Sequence, residues 1–193
     1  IGAPFKNYFT DPERAEAGGH YLGLFVKTAP APGQVRIGSR VGTLLFLYVG
    51  GTVEESLVRQ DFSADKDWYF WPPIQISLQL ENAGTVHAAP DGAIVFRKDS
   101  GQEIGRLALN PTQKKVLPGG QWREQFEWRK LSWRDTGRIT AVAAIQYGIT
   151  KQSITDTITF WYVPLPVLLA AALTVIIFLA LTVLIRRGIR FKR

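Results

Sequence analysis

The chain has no cysteine and no methionine, and its only two histidines, His20 and His87, lie far apart in 193 residues. Without cysteine there is no disulfide framework and no thiolate zinc site, and two separated histidines do not have metal-ligand spacing. No Asn-x-Ser/Thr acceptor with a non-proline middle residue occurs. Nucleophile elbows, Gly-rich phosphate loops and two-histidine metalloprotease helices are also missing. Gly38-Ser39-Arg40-Val41-Gly42 sets a serine between glycines at the wrong spacing for an elbow, and reads as a turn leading into a strand. Glu54 with Glu55, and Asp65 with Asp67, fall in polar stretches and read as solvated faces. These absences predict a chain that is not an enzyme and holds no cofactor or metal.

Charge is missing altogether from residues 165–185, and Arg186-Arg187-Gly188-Ile189-Arg190-Phe191-Lys192-Arg193 follows at once. At the helical rise, 21 residues span about 32 Å, close to the roughly 30 Å hydrocarbon core of a bilayer. The expectation is a transmembrane helix over 164–187 and a basic tail over 188–193. Arg186, Arg187, Arg190, Lys192 and Arg193 would act as the cytoplasmic charge anchor, with everything before residue 164 on the other side. The competing reading is a buried core helix. Sortase-type sorting signals also end this way, but Leu117-Pro118-Gly119-Gly120 lacks the threonine and lies far upstream. Leu165-Pro166-Val167-Leu168 fails as well, so the helix is expected to stay as the anchor. This topology needs an export signal, and none is visible at Ile1-Gly2-Ala3, which predicts a processed or incomplete start.

The same tail accounts for most of the net charge of +7. Five of the 23 basic residues lie in 186–193, counting Arg186 and Arg187, leaving 18 against 16 acidic residues. The remainder is nearly balanced, so the basic balance reports membrane topology and excludes a nucleic-acid partner. The lipid bilayer is the first expected partner. Missing disulfides and glycosylation acceptors fit a prokaryotic surface protein.

Residues 52–163 read as one all-β domain. Ile74, Ile76, Leu78 and Leu80 alternate with polar residues at period two, which gives one buried and one wet face. Further strands are expected over 54–62, 93–98, 103–109, 122–128, 138–147 and 153–162, with turns at Asn82-Ala83-Gly84, Asp99-Ser100-Gly101 and Pro118-Gly119-Gly120. About seven short antiparallel strands with frequent turns describe an immunoglobulin- or fibronectin type III-like β-sandwich, with a closed barrel as the alternative. Residues 1–51 hold two more strands, 21–27 and 43–49, around a Pro/Gly-rich stretch at 29–33. Two strands are too few for a domain. They read as the last strands of a preceding β-sandwich, or as strands packed on the edge of the second.

Aromatic residues are the candidate binding surface. Trp68, Tyr69, Phe70 and Trp71 stand in a row between two strands, and Trp133 lies in the following loop region 130–137. Such rings stack on sugars or anchor protein partners; equally, the row plugs one end of the sandwich or packs at the seam with the first domain. Trp122, Phe126 and Trp128 read as core. Trp161 and Tyr162, just ahead of the apolar run, sit where interfacial aromatics are expected.

Several segments are similar to a known family. Ala15-Glu16-Ala17-Gly18-Gly19-His20-Tyr21 and Arg40-Val41-Gly42-Thr43-Leu44-Leu45 resemble the closing strands of the first domain in WxL-interacting-type bacterial surface proteins. The stretch Leu80-Glu81-Asn82-Ala83-Gly84-Thr85-Val86-His87, with Val116-Leu117-Pro118-Gly119-Gly120 and Gly137-Arg138-Ile139-Thr140-Ala141, resembles their second domain. The resemblance implies tandem immunoglobulin-like domains ahead of a membrane anchor, the first associated with peptidoglycan and the second with host or partner proteins. It implies no catalytic residue, and leaves most of the first domain outside this sequence. The resulting expectation is a non-catalytic, membrane-anchored surface protein that binds cell-wall glycan or an envelope protein. A structural subunit of a membrane complex, or an accessory domain of a larger surface enzyme, is the alternative.

Overall fold

The computed structural model describes residues 15–27 and 40–190, with side chains to residue 186. The stretch 29–33, Gly38, Ser39, Lys192 and Arg193 lie outside the described residues. The chain is all-β with one apolar helix. A hairpin of β1 (Gly18–Lys27) and β2 (Arg40–Val49) comes first. Then follow β3 (Leu57–Ala64), β4 (Trp68–Tyr69), β5 (Ile74–Asn82), β6 (Asp91–Lys98), β7 (Glu103–Ala108), β8 (Gln121–Trp128), β9 (Gly137–Tyr147) and β10 (Gln152–Tyr162). The helix α1 covers Leu165–Arg190.

Strands β3 to β10 form two facing sheets, a three-stranded one ordered β3-β5-β8 and a five-stranded one ordered β4-β10-β9-β6-β7. This is the immunoglobulin/fibronectin type III-like sandwich expected from the strand pattern. The two-residue β4 is new: it pairs parallel to β10 in a stretch that reads as loop in the sequence. Period two explains the interior directly. Ile74, Ile76, Leu78 and Leu80 of β5 face Ile139, Ala141, Ala143 and Ile145 of β9, and all eight are buried. Trp122, Phe126 and Trp128 join them, as expected for core. The Trp128 indole reaches from the small sheet to stack on Phe96 at 3.8 Å. It also lies over Gly105, where a Cβ would stand 2.8 Å from the ring. At one edge Arg59 of β3 bridges Asp156 of β10 at 2.6 Å.

Buried Asn82 closes the end of the sandwich away from α1. Its amide donates to the carbonyls of Val86 and Val116, both at 2.8 Å, and its Oδ1 accepts from the Gly84 N–H at 2.9 Å. One side chain thus satisfies three backbone groups of two loops. Asn82→Ala leaves the Gly84 N–H and the Val86 carbonyl unpaired, while the Val116 carbonyl keeps its bond from the Ala88 N–H. The change is expected to cost about 2 kcal/mol, measurable as a lowered urea midpoint. Gly84 is obligatory for a separate reason, because a Cβ there would collide with the Glu54 carbonyl.

The β1–β2 hairpin, paired from Gly18↔Val49 to Lys27↔Arg40, meets the sandwich at this same end. Gly19 N–H donates to the Thr85 carbonyl at 3.3 Å. Tyr21, Phe46 and His87 pack edge-to-face with centroids 5.5–5.9 Å apart. Both hairpin faces are apolar, and Phe25, Val26, Val41 and Leu44 are exposed.

Candidate functional site

Strand alternation sorts the aromatic row. In the parallel pairing Trp68 lies beside Trp161 and Tyr69 beside Tyr162. Side chains at successive positions point to opposite faces, so both tryptophans face out and both tyrosines face in. Trp68 and Trp161 stack with centroids 5.3 Å apart and planes within 10°. Tyr69 and Tyr162 are each 3% exposed. This corrects two expectations. Tyr69 is core, not exposed platform, and Tyr162 is core, not a membrane-interface residue. The Tyr69 hydroxyl donates to Asp65 and accepts from the Lys66 N–H at 3.2 Å. Burial, and then that bond to Asp65, push its pKa above the usual tyrosine range. Burial, with Asp135 nearby, raises that of Tyr162.

The exposed members are Trp68, Phe70, Trp71 and Trp161, and Trp133 at 62% exposure. Trp133 opens a one-turn 3-10 helix, Trp133–Asp135. Ser132 caps it, accepting from the Arg134 N–H, and the Asp135 carboxylate returns to the Ser132 N–H at 2.8 Å. The Arg134 guanidinium lies 5.3 Å from the Trp133 ring centre. Lys98 fixes this turn to β6, reaching Asp135 and the Arg134 carbonyl, both at 2.9 Å.

The row is also tied to the helix. Val163 N–H donates to the Tyr69 carbonyl at 2.8 Å, and Leu165 N–H to the Phe70 carbonyl at 3.1 Å. A helix start normally leaves orphan N–H groups. Here Leu165 is satisfied by Phe70, Pro166 has no N–H, and Val167 and Leu168 both donate to the Pro164 carbonyl. Proline is tolerated in this first turn. Nothing polar is left over where the apolar stretch Leu165–Arg186 begins. Within it the hydroxyls of Thr174 and Thr182 donate back to the Ala171 and Leu179 carbonyls, both at 2.7 Å. The stretch is long and apolar enough to cross a membrane and none of it is buried, unlike a core helix. The helical backbone runs on through Arg186, Arg187 and Arg190, past the end of the apolar run.

A concavity of about 290 Å³ lies at the opposite end, lined by Tyr48, Glu55, His87, Lys115 and Ile149 among others. Its His87, Lys115 and Glu55 side chains are engaged. Tyr21 Oη and His87 Nδ1 stand 3.4 Å apart, and Lys115 lies 4.8 Å over the Phe46 ring. Burial, and then Lys115, lower the His87 pKa, so the ring is neutral near pH 7. Glu55 accepts from the Ile149 N–H at 2.7 Å, the Thr150 N–H at 3.2 Å and the Thr150 hydroxyl at 2.6 Å. Burial alone would raise the Glu55 pKa, but these three bonds together bring it below the ordinary value. A carboxylate with a depressed folded pKa contributes stability above its unfolded pKa and loses it as pH falls through the folded one. Glu55→Gln is therefore expected to lower stability at neutral pH by under about 1 kcal/mol, since the site is solvated. The difference from the parent should shrink as pH falls below the ordinary carboxylate range and the Glu55 carboxylate becomes protonated, as urea titrations at neutral and acid pH would read. Among the described residues no group of three His, Asp or Glu could hold a metal ion.

No protein-family model matches the chain, and no curated protein sequence matches it. Among solved structures it is similar to a β-D-glucoside glucohydrolase from Trichoderma reesei, with 14% identity over 56% of this chain and a TM-score of 0.30. The match spans 18% of that enzyme's length, and a likeness of that order carries nothing about activity.

Proposed function

We propose that this chain is a non-catalytic, single-pass membrane-anchored surface protein of bacterial type. Its β modules lie outside the cytoplasm, the basic end of α1 lies inside, and the modules bind cell-wall glycan or an envelope protein. The observation that carries this reading is the junction: β10 enters the apolar helix after only Val163 and Pro164, and backbone hydrogen bonds tie the helix start to the sandwich. The basic cluster after the apolar run supports a cytoplasmic tail. The hairpin is apolar on both faces, and two strands of that kind need further β structure against them. A preceding β-sandwich, as the resemblance to WxL-interacting-type proteins implies, would supply that. The subunit alternative draws less support, since the Thr174 and Thr182 hydroxyls are spent inside α1 and offer neighbouring helices no polar contact.

Two measurements test this. Protease added to spheroplasts should digest the sandwich and spare a tag placed after Arg193; digestion of the tag instead overturns the orientation. Purified peptidoglycan sacculi and a cross-linked envelope fraction should retain the protein in at least one case. Retention by neither defeats the binding role.

A further inference from the structure

We propose that the base of the sandwich is seated in the headgroup layer of the membrane that α1 spans, through Trp68, Trp161, Phe70, Trp71 and the Trp133–Arg134 turn. The module is then held at a fixed attitude instead of swinging on a tether. The inference rests on the anchor reading of α1 and adds a second, peripheral contact to it.

Register puts these residues at one end. Gly137 of β9 pairs with Tyr162 of β10, Lys98 of β6 with Ile139 of β9, and Ile74 of β5 with Trp128 of β8. The segments 65–73, 99–102 and 129–136 therefore emerge at the end from which α1 leaves. The junction has little slack: two residues separate β10 from α1, so Tyr162 and Leu165 are at most about 11 Å apart along the chain. The bond from Leu165 to the Phe70 carbonyl sets the aromatic row level with the first residue of the apolar run. Whatever depth Leu165 takes at the edge of the hydrocarbon, the backbone of Phe70 shares it.

The chemistry of this end suits a lipid interface. Four of the six tryptophans, 68, 71, 133 and 161, are exposed here, while Trp122 and Trp128 are core. Indole is amphipathic and favours the headgroup level, where its ring meets acyl chain and its N–H meets water or phosphate. Most cations at this end already have carboxylate partners: Lys66 with Asp65, Lys98 with Asp135, Arg129 with Glu127 and Arg138 with Asp99. Among the described residues Lys130 and Arg134 have none, and Arg134 lies over the exposed Trp133 ring. Trp133 with the Arg134 guanidinium over it offers a lipid phosphate an aromatic and a cation together, against the single carboxylate, Asp67, that among the described residues has no cation partner in this row. The stacked Trp68 and Trp161 rings cover each other's inner faces, which leaves less open ring surface for a sugar.

The chain has no cysteine, so single cysteines can be placed in the full-length protein without a background. Trp71→Cys, Trp133→Cys, Leu117→Cys at the far end and Val175→Cys in the span would each carry an environment-sensitive fluorophore. The proteins are reconstituted in phosphatidylcholine–phosphatidylglycerol vesicles containing shallow or deep nitroxide lipids. The expected result is shallow quenching at 71 and 133 several-fold above that at 117, with deep quenching at 175. Quenching at 175 with none at 71 and 133 overturns the seat and leaves the anchor standing. No quenching at 175 removes both. Shielding of the labels at 71 and 133 by soluble peptidoglycan fragments, in place of vesicles, assigns the surface to glycan and also overturns the seat. Buried Trp122 and Trp128 report in each variant, through near-ultraviolet dichroism, that the sandwich is folded.

Discussion

Trp128→Ala is expected to lower the stability of the sandwich by about 3–5 kcal/mol, a large part of the roughly 5–15 kcal/mol that holds a domain folded. The indole is 2% exposed and comes from the last residue of β8, yet it contacts the other sheet twice, at Phe96 and at Gly105. Its removal opens a void that neither neighbour fills: Phe96 is held by pairing to both β7 and β9, and Gly105 has no side chain. Gly105→Ala produces the opposite fault. The new methyl would sit 2.8 Å from the ring, and either Trp128 or β7 must shift, at about 1–3 kcal/mol. Because both changes act on one contact, the double variant should lose less than the two single losses combined. Guanidinium unfolding of the full chain in mild detergent, followed by near-ultraviolet dichroism, measures all three. Strictly additive losses would show that Gly105 and Trp128 do not share the contact.

That contact illustrates what the sequence could and could not disclose. Period two in Ile74 to Leu80 and in Ile139 to Tyr147 reveals strands and their buried faces, because alternation is a property of one strand by itself. Trp122, Phe126 and Trp128 are recognisable as core for the same reason. Asn82 looks like ordinary turn chemistry, and its role emerges only when β5, the Val86 loop and Val116 converge on it. The aromatic row was misread at Tyr69 because four aromatics in succession hide the alternation that would mark a strand. Only the pairing of Trp68 with Trp161 and of Tyr69 with Tyr162 reveals it. The adjacent pair Trp161 and Tyr162 misled in the same way: proximity to the apolar run suggested that both meet the membrane, but a strand can present only one of two neighbours to it. A parallel two-residue strand leaves almost no local signature, since its partner lies some ninety positions away. The exposed aromatic surface depends on such long-range pairings, so its residue types were legible in the sequence and their shared location was not.

Val175→Arg should impair membrane insertion by about 2.5–3.5 kcal/mol, roughly a hundredfold in partitioning. Val175 is at the middle of the 165–185 run, so an arginine there is about as far from either interface as the span allows. The helix has no means to compensate. Its two threonine hydroxyls are engaged with their own backbone, no acidic residue lies in the run, and none of the span is buried against the sandwich. Leu184→Arg is the necessary comparison, because a guanidinium two residues before Arg186 can extend to the interface along its own methylenes. It should cost far less. The fraction resisting carbonate extraction measures both, with the parent chain as reference. A helix that merely packs on protein would be disturbed by the two substitutions alike, since both positions are exposed, at 58% and 65%. A helix that spans a bilayer separates them steeply by depth, and equal extraction of the two variants would defeat the membrane reading of α1 together with the seated sandwich that depends on it.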